Sequence, residues 1–163
     1  MVTTSAGILP YRIAADGTVS ALVAHMGGPF WSAKDAGAWS IVKGEYDPDG
    51  ETALDAARRE FREELGLEAP DGPYAELGTF SYSSGKRITV FVVDGADLDV
   101  SGAVFGEFEM EWPPRSGRTA SFPEVDRVEW VDLGRARELL VKGQRPALDR
   151  LADLVHGENS PSP

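Results

Sequence analysis

Glu60, Glu63 and Glu64 crowd into five consecutive positions of the stretch Lys43–Leu67, which reads KGEYDPDGETALDAARREFREELGL. On a helix these glutamates stand at i, i+3 and i+4 and project from one face. At 100° per residue that face also carries Ala53 and Ala56, while Leu54, Ala57, Phe61 and Leu65 form a separate apolar stripe suited to a core. Like charges at i and i+4 cost a helix roughly 0.2–0.5 kcal/mol per pair. This face has no lysine to relieve them. Three glutamates alone read most simply as a solvated acidic face. Hard oxygen donors beside small residues are also what a magnesium site requires, because the ion keeps waters and takes substrate phosphates.

The residues around the glutamates favour the second reading. Glu51 is followed by seven residues and then by Arg59-Glu60-Phe61-Arg62-Glu63-Glu64-Leu65-Gly66-Leu67. This resembles the signature of the Nudix hydrolases: glycine, five residues, glutamate, seven residues, Arg-Glu, an apolar residue, any residue, Glu-Glu, any residue, glycine and an aliphatic residue. One departure lies at the front, where six residues, Glu45 to Gly50, separate Gly44 from Glu51. A single insertion in a loop is inexpensive, and Asp47-Pro48-Asp49-Gly50 reads as a turn.

The resemblance implies an α/β fold, a Nudix-type α/β/α sandwich around a central mixed sheet. It also implies that Glu60, Glu63 and Glu64, with the Gly44 carbonyl, hold Mg2+ (or Mn2+), and that Arg59 and Glu51 brace the helix against the preceding loop. Such an ion neutralises phosphate charge and acidifies water, so the expected reaction is hydrolysis of a phosphoanhydride bond in a nucleoside diphosphate derivative, such as a nucleoside triphosphate or dinucleoside polyphosphate. Nudix enzymes often take their general base from a loop before a late strand. Glu124, in Phe122-Pro123-Glu124-Val125-Asp126-Arg127, is the first candidate. Glu107, Glu109 and Glu111 are rivals that share one side if their segment is a strand.

Phosphate-binding candidates are Lys43, beside Gly44, and Arg115 and Arg118 in the Gly/Pro-rich EWPPRSGR loop. Lys86 and Arg87 read as solvated at a hairpin tip. Trp31 or Trp112 is placed to stack on a nucleobase, whereas Trp39 and Trp130 read as packing. His25 and His156 lack zinc-like spacing and read as structural or exposed. KGEY before the helix with EWPPRSGR and FPEVDR after it resembles a bacterial Nudix group of nucleoside triphosphate pyrophosphohydrolases, with some similarity to dinucleoside polyphosphate hydrolases. A non-catalytic Nudix-like binding module is the alternative, although such modules are expected to lose signature carboxylates. An EF-hand beginning at Asp47 fails, because its sixth and twelfth positions hold Thr52 and Arg58.

With 163 residues, one domain over 1–155 and a frayed tail over 156–163 are expected. No cysteine is present, which excludes disulfides and thiolate metal sites. The net charge of −11 argues against general nucleic-acid binding, so the expected partner is a small nucleotide. MVTTSAGILPYRI has neither a basic start nor a long apolar run, and the expectation is a cytoplasmic protein without a membrane span. Oligomeric state is left open.

Strands are expected at Ala6–Ile13, Val19–Met26, Trp39–Val42, Gly78–Ser83, Arg87–Val93 and Val128–Val131. Helices are expected at Thr52–Leu65, Leu133–Leu140 and Pro146–Val155, and Glu111–Pro123 reads as irregular.

Overall fold

The computed structural model describes residues 3–159. Its central feature is β1 (Thr4–Ile13), which turns at Gly17 into antiparallel β2 (Val19–Met26) and lies parallel to the distant β6 (Arg87–Asp94) from Thr4↔Arg87 to Tyr11↔Asp94. The sheet is therefore mixed, as the sequence reading anticipated. β3 (Trp39–Ser40) and β9 (Val125–Asp132) pair with β2, β4 (Val42–Glu45) pairs with the first half of β1, and β5 (Ala75–Ser81) closes the far edge on β6.

Side chains on β6 alternate across this sheet. Ile88, Val90 and Val92 enter one core with Leu139, Leu148 and Leu151 of α2 (Leu133–Leu139) and α3 (Arg145–Asn159). Phe91 and Val93 enter a second core with Phe61 and Leu65 of α1 (Ala53–Leu65). Helices thus cover both faces, and the α/β/α sandwich is confirmed. Each large apolar side chain so buried contributes about 1.5–3 kcal/mol.

Helix α1 begins where Thr52 Oγ1 accepts the Asp55 N–H at 3.2 Å and ends at Gly66, whose φ of 66° permits its N–H to reach the Arg62 carbonyl. Ala56 departs from expectation. It is completely buried in the α1-side core rather than lying open beside the glutamates, because α1 presses directly on β1 and β4.

The segment expected to be irregular is largely a hairpin of β7 (Glu107–Glu111) and β8 (Thr119–Pro123), in register from Glu107↔Pro123 to Glu111↔Thr119. Two-residue alternation in FGEFEMEW matches β7, while the prolines and glycine of the turn leave β8 without a local sequence signal. Helix α3 runs on to Asn159, past the limit at Val155, and residues 160–163 of the expected tail lie outside the described residues.

Candidate active site

The site forms where β4 reaches α1. At Gly44 the Glu60 carboxyl group occupies the place of a side chain: a Cβ would lie 2.0 Å from both its carboxyl carbon and its Oε2 and would displace it. The glycine is needed so that the helix carboxylate can rest directly on the strand backbone.

Arg59 organises the carboxylates around it. Its Nε and Nη2 donate to the two oxygens of Glu51 at 3.2 and 2.5 Å, while Nη1 donates to Glu60 at 2.9 Å and to Glu63 at 3.1 Å. One end of the fork ties α1 to the turn before it. These bonds hold the Glu51 carboxyl below the usual carboxylate range.

Burial raises the Glu60 pKa despite its bond to Arg59, and Glu63 and Glu124 add to the rise by charge repulsion. Glu64 is pushed up to about 8, first by burial, with Glu124 and Glu60 adding repulsion against the opposing Lys43 charge. A carboxyl this poorly solvated gains strongly from a nearby cation.

Among the described residues, no three His, Cys, Asp or Glu side chains converge on one point as metal ligands do. Arg59 draws Glu60 and Glu63 to its own guanidinium instead. The donor set nevertheless suits a hard divalent cation: two desolvated carboxylates and one exposed carboxylate project from one helix, with no sulfur or imidazole among them.

Glu60, Glu63, Glu64, Gly44, Lys43 and Glu124 line one cleft of about 500 Å³. An adjoining slot of about 280 Å³ shares Lys43, Glu64 and Glu124, and its other walls include Met26, Trp31, Ser40, Ile41 and Phe108. Charge is therefore concentrated at one end and aromatic surface at the other.

Glu124 occupies the break between β8 and β9 and is held through its backbone: its N–H donates to the Gly106 carbonyl at 2.8 Å, and its carbonyl accepts from Gly27 at 3.0 Å. Of its three rivals, only Glu107 lines the cleft. Glu109 lies farther out along β7, and Glu111 accepts the Arg115 N–H at 2.7 Å.

The structure does not bring Arg115 and Arg118 to the cleft. Both lie in the turn beyond Glu111, and Glu107 and Glu111 are four residue steps apart along the extended strand, about 13 Å. The glycine and prolines that suggested a binding loop serve to reverse the hairpin. Trp112 likewise packs edge-to-face on Phe30, 5.6 Å between centroids, and outside the slot that Trp31 lines.

His25 is buried, hydrogen-bonded to Asp126 at 2.8 Å and to the Lys34 carbonyl at 2.6 Å. Trp39 is a core residue, and Trp130 packs beneath the Arg12 guanidinium at 3.9 Å. Met26, Ser40, Ile41 and Phe108 were missed as slot residues. Only Phe108 carried a usable sequence signal, since the glutamate alternation places it on the opposite side of β7.

A sequence profile described as the NUDIX domain matches residues 11–151. The chain belongs to the Nudix family.

A phage T4 protein, described as an uncharacterized 17.7 kDa protein of the e-segB intergenic region, is 44% identical over 54 residues, 32% of this chain and 36% of that protein. That alignment spans only about a third of the relative's length.

Similar solved Nudix structures include a Caenorhabditis elegans Ap4A hydrolase binary complex (21% identity, 96% of this chain and 99% of that one, TM-score 0.57). The NUDIX domain of Shewanella oneidensis NrtR complexed with ADP ribose is similar over 95% of this chain and 89% of that one, at 11% identity and TM-score 0.61. A MutT protein from Methanosarcina mazei matches at 19% identity over 98% and 96% of the chains, TM-score 0.58. At these identities the likeness shows the Nudix fold alone.

Proposed function

We propose that the chain hydrolyses a phosphoanhydride bond in a nucleoside diphosphate derivative, a nucleoside triphosphate or dinucleoside polyphosphate, with Mg2+ or Mn2+ held by Glu60, Glu63, Glu64 and the Gly44 carbonyl. The observation that carries this reading is the junction of the carboxylate cleft with the aromatic slot through Lys43, Glu64 and Glu124. A divalent cation bound there supplies charge neutralisation on the phosphates and lowers the pKa of water.

The chain's own residues do the rest. Lys43 pairs with a non-reacting phosphate oxygen, and Trp31 and Phe108 accept the base or another flat group in the slot. Glu124 takes the proton of a water whose oxygen attacks phosphorus. The bond to the bridging oxygen breaks, and that oxygen leaves with the other phosphate. Arg59 acts one layer back, fixing the carboxylates rather than touching substrate. Soluble cytoplasmic nucleotides are the substrates in this reading. Among the described residues, no helix is long and apolar enough to cross a membrane.

A panel of phosphoanhydrides with Mg2+ in oxygen-18 water, with products identified by mass, tests the proposal. It expects metal-dependent cleavage with one labelled product and poor turnover of simple monoesters. The Arg59-bound arrangement of Glu60 and Glu63 favours a second reading, a nucleotide-binding module without turnover. Binding of the panel with no hydrolysis by folded protein would select that one.

A further inference from the structure

Residues 37–41 lead directly into Lys43 and Gly44, and much of what holds them comes from the other end of the chain. Gly37 N–H donates to the Glu138 carbonyl at 3.2 Å, Val141 N–H donates to the Trp39 carbonyl at 2.9 Å, and Trp39 and Leu140 form a parallel bridge. A third backbone partner would be needed at Ile41, but the chain has by then turned into the 3-10 segment Lys142–Gln144.

Gln144 takes that place with its side chain. Its Oε1 accepts the Ile41 N–H at 2.8 Å, and its Nε2 donates to Ser40 Oγ at 2.9 Å and to the Tyr82 hydroxyl at 2.8 Å. Ser40 Oγ in turn donates to the Ile41 carbonyl at 2.7 Å. Gln144 is 0% exposed, so these bonds have no water to replace them. The amide orientation is dictated by its partners, because a flipped group would set its NH2 against the Ile41 N–H. Tyr82 comes close because residue 143 is glycine: a Cβ there would lie 2.3 Å from the ring.

We infer that Gln144 is a positioning residue for the site: its carboxamide stands in for a strand backbone and sets the bend from β3 to β4 that delivers Lys43 and Gly44 to the cleft. Ser40 and Ile41, two of the three residues it grips, are themselves walls of the slot. The inference rests on the metal-site reading above. It adds that the geometry of that site depends on a residue 100 positions after Gly44, outside both cavities.

The test is a Mn2+ titration of Q144L and S40A, followed by electron paramagnetic resonance, with the Gly44 amide resonance recorded on metal-free protein. Leucine keeps the volume of Gln144 and removes all three bonds. Q144L should weaken Mn2+ binding roughly 10- to 100-fold, the range typical when support behind a ligand is lost, and should shift the Gly44 resonance. S40A, which retains the bond to Ile41 N–H, should move both readouts in the same direction by less.

L151A is the control for a merely structural effect, since Leu151 lies in the same α2/α3-side core. It should lower the melting temperature while Mn2+ affinity stays within about twofold. E64Q separates the two readings. Failure of the wild type to bind Mn2+, or E64Q binding as tightly as the wild type, would overturn the metal site itself. A wild type that binds and an E64Q that does not, with Q144L unchanged in affinity and Gly44 shift, would overturn only the positioning role. Should Q144L fail to fold, an unchanged S40A overturns it equally.

Discussion

Gly44 and Glu60 are packed so tightly that a methyl group added to the first would lie 2.0 Å from the carboxyl carbon of the second. G44A must therefore displace a proposed ligand without touching a charge. Turnover of the best phosphoanhydride should fall on the order of 10²-fold, equivalent to about 2.7 kcal/mol of transition-state stabilisation. Near wild-type kcat and KM in G44A would show that the close approach is only a packing detail.

Glu64 separates activity from stability. E64Q keeps the size of the side chain and should lower kcat on the order of 10²-fold or more. In chelator the same substitution should leave the fold no less stable at alkaline pH. The sign follows from the raised pKa: folded Glu64 holds its proton up to about 8, against 4.5 ordinarily, so its stabilising contribution is full below about pH 4.5 and is lost as pH rises through about 8. The wild-type melting temperature should therefore fall relative to E64Q between pH 5 and 9. Parallel curves would mean that Glu64 is not desolvated in solution.

Lys43 is the cation shared by the cleft and the slot, whereas Arg115 and Arg118 lie beyond the far end of β7. K43A should lower kcat/KM about tenfold or more, within the 1.5–3 kcal/mol range of a charge-assisted bond. The double variant R115A/R118A should stay within about threefold on the same substrate. A large rise in KM for the double variant would place the hairpin tip against the substrate.

Glu124 and Glu107 compete for the role of base, and their kinetics should distinguish them. E124Q should lose roughly 10²- to 10⁴-fold in kcat, together with the acidic limb of the pH–rate profile. E107Q should keep both, since the Glu107 carboxylate already accepts from Ser121 Oγ at 3.1 Å. The opposite pattern would transfer the assignment to Glu107.

The acidic helix was legible in the sequence because everything that makes it is local. Thr52 and Gly66 cap it, Phe61 and Leu65 recur at helical spacing, and the three glutamates share a face by periodicity alone. Strand alternation likewise exposed β1, β2 and β6, and with the signature it led to the sandwich. Tertiary structure decided what required knowing which distant backbones meet. Nothing near Arg115 in the chain says that its turn is carried away on a hairpin. Nothing near Gln144 says that its amide will close a strand 103 residues earlier. Ala56 shows the same limit at short range: periodicity set its angle on the helix, but the depth to which α1 sinks against β1 and β4 buried it. Periodicity specifies direction around an element. Burial, pKa and hydrogen-bond partners depend on what packs against it, whether that is the preceding strand, as for Ala56, or a residue 103 positions away, as for Ile41.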